Sequence, residues 1–248
     1  MKRSRFFFSS LVLIGVTVST SCTNVPSPTL ASNGLSVPAR APSELESLQA
    51  TYAHLAQDGG KVFTLEPATS SVRIYVFRDG RAARLGHNHV LSAPHFTGFM
   101  LLPATGAADA RFDLEFRLDE LEIDNPGHRA GLGAAFASVL TPEAIAGTRE
   151  HMLGDSNMQA AQFPLVRIHC LRISGESPRY AAQVAVQMHG VTRDQWIPLT
   201  VTGLPERLAV SGAFVLRQTD FGIHPYSVAG GLLAVKDEVV IDFSLTGR

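Results

Sequence analysis

Five segments between residue 71 and the end of the chain alternate apolar with polar or small residues, and this period of two constrains the fold most strongly. Alternation gives each segment one apolar face, as in antiparallel strands that pack one side on a core. Because helices do not alternate with these segments along the chain, the pattern favours a β-barrel or β-sandwich. The apolar positions are Val72, Ile74, Val76; Phe112, Leu114, Phe116, Leu118; Val184, Val186, Met188; Val210, Gly212, Phe214, Leu216; and Val239, Ile241, Phe243, Leu245.

A short amphipathic helix is predicted ahead of the strands. Ser43 and Glu46 have the spacing of a capping box, and Asp58-Gly59-Gly60 supplies a stop signal. We expect the apolar stripe of this helix to dock on the domain that follows. Its members are Leu45, Leu48, Tyr52 and Leu55.

A second helical region interrupts the strands. Residues 134–140 and Pro142–Leu153 both have helical character in the sequence. Thr141 is a good N-cap, and Pro142 occupies the first helical position with Glu143 behind it. We therefore predict a helical insertion between two groups of strands.

The N-terminus has the pattern of a secretory signal. Positive charges at Lys2, Arg3 and Arg5 precede an apolar run over 6–18, which is too short to span a membrane comfortably. Cys22 follows three small residues and resembles the lipidated cysteine of a bacterial lipoprotein. We expect a membrane-anchored lipoprotein on the periplasmic side of the cell envelope; the alternative is an ordinary signal peptide cleaved near the same place.

The domain organisation follows from these signals. Residues 1–22 are the signal, 23–60 form a Ser/Pro/Thr-rich tether with the short helix, and 61–248 form one β domain. A net charge of -1 gives no reason to expect a nucleic-acid partner. If Cys22 is lipidated, no intramolecular disulfide can form, and Cys170 is predicted to be a buried small apolar residue. A homodimer is compatible with the sequence.

The most unusual polar feature is His87-Asn88-His89. Two residues apart on a strand, the two histidines share a face and could reach one metal ion, with Asn88 on the opposite face. A zinc site requires three or four ligands. The candidates for a third ligand are His95, His169 and His189. The alternative is a polar barrel mouth whose imidazoles bind neighbouring groups or a ligand head group.

Four pairs of short segments together resemble a known family. They are Phe63-Thr-Leu-Glu-Pro with Ser71-Val-Arg-Ile-Tyr-Val; Gly147-Thr-Arg-Glu-His-Met-Leu153 with Phe163-Pro164 and Ile168; His189-Gly-Val-Thr-Arg193 with Ile197-Pro-Leu199; and Gly212-Ala-Phe-Val-Leu with Arg217-Gln-Thr-Asp-Phe-Gly-Ile223 and Gly230-Gly231. In their order and spacing, the chain resembles the YceI-like, lipocalin-like family of periplasmic isoprenoid-binding proteins. It departs from the family at Gly86-His-Asn-His89, where Phe often follows the glycine, and at His189, which replaces an arginine.

The resemblance implies an extended eight-stranded antiparallel lipocalin-like β-barrel with a helical insertion. It implies long apolar ligands such as polyisoprenoids, quinone tails or fatty amides, with no catalytic residues and no cofactor. The barrel interior then becomes the ligand-binding surface, unless side chains fill it completely. The predicted interior residues are Val72, Ile74, Val76, Phe112, Leu114, Phe116, Val184, Val186, Met188, Phe214, Leu216, Ile241 and Phe243. The alternative function is a metal-binding or metal-dependent envelope protein that uses His87 and His89.

Overall fold

A computed structural model describes residues 42–248, with side chains from residue 48 onward. The predicted export signal, the lipidation of Cys22 and most of the tether lie outside the described residues and stay predictions. The side chains of the proposed capping box, Ser43 and Glu46, and that of Leu45 lie outside it as well.

One antiparallel sheet dominates the described part of the chain. Its strands are β1 (Lys61–Thr64), β2 (Ser71–Asp79), β3 (His89–Ser92), β4 (Thr97–Leu102), β5 (Arg111–Arg117), β6 (Glu122–Ile123), β7 (Leu165–Glu176), β8 (Arg179–Met188), β9 (Val191–Thr202), β10 (Leu208–Arg217), β11 (Ser227–Val228) and β12 (Leu233–Gly247). The helices over residues 42–248 are α1 (Pro42–Leu55), α2 (Pro126–Ala130) and α3 (Pro142–Leu153). None of these helices is long and apolar enough to cross a membrane.

The strand segments combine into eight long strands. β1 pairs with β4 while β2 pairs with β3, so β1–β2 and β3–β4 are two interrupted strands lying side by side. The first is broken by the 3-10 turn Pro67–Thr69. β5 and β6 continue in the same way along β4 and β3. With β7, β8, β9, β10 and β12 the total is eight, and β11 is a two-residue addition to β12.

The sheet closes through its last strand. β12 pairs with β10 on one side and with β2 on the other, from Ser244↔Ser71 to Ala234↔Asp79. A further bridge joins Gly247 to Leu65, just after β1. Since the eighth strand is hydrogen-bonded to both the seventh and the first, the sheet is a barrel. The predicted antiparallel barrel is confirmed; the structure divides it into twelve strand segments where eight strands were predicted, because turns interrupt the first three strands and β11 is a short addition.

The alternation in the sequence matches the two faces of each strand, because the apolar side chains point into the barrel and the polar ones point to solvent. On β8, Val184, Val186 and Met188 are buried, while Gln187 between them is exposed. Each large apolar side chain removed from water contributes about 1.5–3 kcal/mol, so a misregistered strand would lose several such contributions. Burial of the apolar face therefore fixes the register of the strands.

The helical insertion is confirmed in its second half only. The Thr141 side chain accepts a hydrogen bond from the Ala144 amide at 3.2 Å, and Pro142 opens α3 as expected. Residues 134–140, however, contain only the 3-10 turn Ala134–Phe136, so the prediction of a helix there was wrong. The reason is competition for carbonyls, because the guanidinium of Arg129 binds the carbonyl oxygens of Phe136 and Ser138.

Helix α1 docks on the outer wall of the barrel, as its apolar stripe predicted. Tyr52 is 1% exposed and stacks on Phe99 of β4 with ring centroids 5.4 Å apart. Its hydroxyl donates to Oδ2 of Asp113 on β5 at 2.8 Å. Leu48 and Leu55 pack on the same small cluster. One buried aromatic ring with one hydrogen bond thus attaches the helix to two neighbouring strands.

Candidate ligand-binding tunnel

The barrel encloses a cavity of about 610 Å³. This volume lies in the range of pockets that bind small ligands, about 300–1,000 Å³. Twelve of the thirteen predicted interior residues line it, from Val72 to Phe243. Val184 is the exception: its side chain is fully buried in the surrounding core and does not reach the cavity. The interior is therefore not a filled core, and contact of these residues with a ligand stays a prediction.

The cavity is a tunnel along the barrel. Its wall on β10 extends from Leu208 to Leu216, eight residue steps, or about 26 Å at the usual rise of a strand. Tyr180 and Ile173 line it towards the end near Leu208. At the other end, called the mouth below, the lining residues Tyr226 and Val228 are exposed to solvent.

Helix α3 forms one side of the mouth. The residues that it contributes recur at helical spacing of three and four and so share one face. They are Ala144, Gly147, Thr148, His151 and Met152. The imidazole of His151 packs against the ring of Tyr226, with centroids 5.0 Å apart.

Polar contacts fix α3 in this position. The guanidinium of Arg149 donates to the carbonyl oxygens of Asp119, at 2.9 Å, and of Leu121. Beyond the helix, Nδ2 of Asn157 donates to the carbonyl of His224 at 2.9 Å. The helix is therefore tied to the break between β5 and β6 and to the loop that precedes β11.

His87 and His89 both line the tunnel at the mouth, although His87 lies two residues before the start of β3 and not on a strand as the prediction assumed. Their ring centroids are 4.7 Å apart and the rings are nearly perpendicular. His89 is opposite Val76 in the pairing of β2 and β3, and both residues line the tunnel. Asn88 points away: its Oδ1 accepts from the Arg78 amide at 3.0 Å, and its Nδ2 donates to the Ala135 carbonyl at 3.1 Å.

A buried ion pair supports His89 from behind. Nδ1 of His89 lies 2.5 Å from Oδ2 of Asp124, whose side chain has no exposed surface. Oδ1 of Asp124 accepts from the Val90 amide at 3.0 Å and from Nη1 of Arg129. The same Nη1 donates to the carbonyl of Asn88 at 2.8 Å. Each polar group of this buried set therefore has a partner.

Neighbouring charges and burial determine where protons sit on Asp124, His89 and His87. Burial alone would raise the pKa of Asp124, but the hydrogen bond and charge of His89, the Val90 amide and Arg129 outweigh it and hold that pKa below its usual value. An ionised carboxylate can only accept, so Nδ1 of His89 carries a proton. Burial, and next the neighbouring His89, lower the pKa of His87.

The third metal ligand considered from the sequence is not at this site. Nδ1 of His169 bonds to Oδ1 of Asp113 on the outer wall at 2.7 Å, and Nδ1 of His189 lies 3.0 Å from the carbonyl oxygen of Phe221. His95 lies between β3 and β4. Over residues 48–248, no group of three His, Cys, Asp or Glu side chains is arranged to hold a metal ion.

Sequence reasoning missed Asp124 and Arg129. Asp124 directly follows β6, and Arg129 lies on α2, which begins at the turn formed by Asn125 and Pro126. The Asn-Pro pair is a turn signal that could have located the loop. Nothing in the local pattern places its side chains beneath His89, some 35 residues earlier in the chain.

The fold and the tunnel define a lipocalin-like binding barrel: a closed antiparallel sheet around an apolar cavity with a polar mouth. The chain belongs to the YceI-like family, since the YceI-like domain matches residues 63–247. Comparison with curated proteins finds no match.

Three solved structures are similar to this chain at low sequence identity. BcnA of Burkholderia cenocepacia is 13% identical with a TM-score of 0.54, and the match covers 74% of this chain and 99% of that one. A polyisoprenoid-binding domain from Saccharophagus degradans, implicated in plant cell wall breakdown, is 13% identical with a TM-score of 0.49 over 75% and 97% of the two chains. The YceI protein of Campylobacter jejuni is 9% identical with a TM-score of 0.47 over 64% and 84%. The likeness to BcnA supports a shared fold.

Proposed function

We propose that this protein binds one long apolar chain, such as a polyisoprenoid, a quinone tail or a fatty amide, inside the barrel. The tunnel of about 610 Å³ carries the proposal, because nearly all of its wall is aliphatic or aromatic. Polar and charged lining residues gather at the mouth, among them Arg78, His87 and Gln218. Such a wall offers few hydrogen bonds to a small polar molecule and favours a hydrocarbon chain along its whole length.

Energetics supports a chain over a small molecule. Burial of one methylene contributes about 0.8 kcal/mol. Micromolar affinity requires about 8 kcal/mol net, and association costs at least about 4 kcal/mol. A ligand held mainly by apolar contact therefore needs on the order of 15 buried methylenes. The tunnel wall follows β10 for about 26 Å, from Leu208 to Leu216, which at the usual strand tilt of a barrel is about 20 Å along the axis and suits a ligand of that kind.

The proposed role is binding and carriage at the bacterial cell envelope, without catalysis. Membership of the YceI-like family supports the binding role. The basic and apolar N-terminal pattern supports export, and Cys22 is the proposed site of lipid attachment. The barrel would then stay near a membrane that can supply or receive its ligand.

Native mass spectrometry of the full chain, with organic extraction of the same preparation, tests this function. We expect one apolar molecule per chain, and we expect the delipidated protein to bind an added C20 isoprenoid. Stoichiometric metal in place of a lipid would favour the alternative built on His87 and His89. A protein that carries no lipid and binds no isoprenoid when offered one would contradict the proposal.

A further inference from the structure

We propose that His87 and His89 form a head-group site that selects a chain ending in an uncharged hydroxyl or carboxamide. Selection would be against both a phosphorylated chain and a bare hydrocarbon. The inference rests on the proposed function, because it concerns the polar end of a chain held in the tunnel. It is carried by two imidazoles that face the mouth with unused hydrogen-bonding atoms.

His89 presents an oriented hydrogen-bonding atom. Its Nδ1 is committed to the buried Asp124, which also fixes the plane of the ring. Its Nε2 makes no hydrogen bond to any residue in the described part of the chain. This nitrogen is therefore free to hydrogen-bond a ligand: its lone pair accepts from an O–H or N–H group when the ring is neutral, and it donates to an oxygen when the ring is protonated.

His87 completes the site from the side. Neither of its ring nitrogens is hydrogen-bonded to the described residues, although the ring lines the tunnel and packs edge-on against His89. A neutral imidazole offers one donor and one acceptor. A hydroxyl or carboxamide can both donate and accept, so when placed between the rings it can hydrogen-bond Nε2 of His89 and a ring nitrogen of His87. A bare hydrocarbon would leave these partly buried polar atoms without partners, which disfavours it.

The charges around the mouth disfavour a phosphorylated head group. The negative charge of Asp124 and the positive charge of Arg129 neutralise each other behind His89. Arg78 is the other guanidinium at the tunnel wall, and its Nη1 already donates to the carbonyl of Gly86 at 2.7 Å. A diphosphate would bring two or more negative charges to a site where Arg78 is the one guanidinium among the described lining residues. Burial of charge without matching partners is costly.

Competitive displacement of a fluorescent fatty probe from the delipidated full chain tests the site. The ligands are geranylgeraniol, its diphosphate and the C20 hydrocarbon of the same skeleton. We expect geranylgeraniol to bind about tenfold more tightly than the hydrocarbon, the effect of one or two hydrogen bonds. In His87→Phe, which loses no hydrogen bond among the described residues, this preference should fall towards one, because the affinity for the alcohol falls while the affinity for the hydrocarbon rises.

His89→Gln is a second site variant and should also lose the preference for the alcohol. His54→Phe, on the exposed side of α1, is the matched control and should keep the wild-type preference. Equal binding of alcohol and hydrocarbon, tighter binding of the diphosphate, or a preference that survives both site variants would each overturn the head-group site. So would a preference that disappears on chelation, since a metal would then hold the head group. Failure of all three ligands to bind would instead contradict the proposed function itself.

Discussion

Nδ1 of His89 lies 2.5 Å from Oδ2 of Asp124, and this contact joins the exposed mouth of the tunnel to a carboxylate that has no exposed surface. Arg129 and the Val90 amide bind the other oxygen of the carboxylate. The orientation of an imidazole at the mouth is thus set by groups behind it. Asp124 also adopts a left-handed backbone conformation, with φ of 54°, which costs energy for a residue other than glycine.

Replacement of Asp124 by asparagine should destabilise the fold by about 3 kcal/mol, because it leaves the guanidinium of Arg129 buried without its counter-charge. Urea unfolding measures the change. Glu66→Gln, which removes a pair with the exposed Arg248, is the control and should have little effect. Because folding lowers the pKa of Asp124, its contribution is complete above the unfolded value of about 3.9 and is lost as the pH falls through the folded value. The two proteins should therefore converge in acid; an unchanged difference would contradict the ion pair.

Gly147 on α3 offers a direct way to close the tunnel. It lines the cavity, and a Cβ atom there would meet no other atom within 4 Å. Gly147→Trp should reduce binding of a C20 isoprenoid at least tenfold, since the new ring would occupy the mouth. Gly147→Ala is the matched control: it should bind normally and gain about 0.5–1 kcal/mol of stability from better helix propensity. Full binding by Gly147→Trp, measured by probe displacement, would place the entrance elsewhere.

Tyr52 should determine whether α1 stays on the barrel. Tyr52→Phe keeps the stacking on Phe99 but loses the hydrogen bond to Asp113, so we expect a loss of about 1–2 kcal/mol. Tyr52→Ala should cost about 3 kcal/mol or more. Hydrogen exchange of residues 42–55 should rise first and most, while the strands stay protected. Equal loss of protection across the barrel would show that α1 is not an independently opening unit.

The phenol of Tyr52 should also resist ionisation. Burial, followed by the charge of Asp113, raises its pKa well above the usual value. In a spectroscopic alkaline titration, one of the four tyrosines should therefore ionise only with unfolding. Since the folded state holds this proton more tightly, stability should be constant below about pH 10 and fall above it. Tyr52→Phe should abolish the delayed signal, and its persistence would assign it to another tyrosine.

Cys170 should react only when the protein unfolds. The residue is buried, and burial raises the pKa of its thiol to about 11, which lowers its thiolate fraction near neutral pH about a hundredfold. In a Cys22→Ser background, where Cys170 is the remaining thiol, labelling with a disulfide reagent should be slow in buffer and fast in urea. Fast labelling of the folded protein would show that this wall of the barrel opens.

Prediction from sequence succeeded where the signal was local and repeated. The alternation through Val72, Ile74 and Val76 identified cavity-lining positions, and Thr141 with Pro142 correctly marked the start of α3. It failed over residues 134–140, because the carbonyl oxygens of Phe136 and Ser138 bind the guanidinium of Arg129 rather than helical amides. Val184 has the same alternation as its neighbours on β8, yet it is packed in the core and does not line the cavity.

The sequence by itself determined the barrel class and the inward and outward faces of the strands. These follow from the two-residue period of a strand, which any short segment reveals. Only the tertiary structure decided that the interior is hollow, that Gly247 and Leu65 close the sheet, and that Asp124 and Arg129 lie behind His89. Those features depend on contacts between residues far apart in the chain, where the volume left between side chains and the pairing of loop residues are set by how the strands wrap around one another.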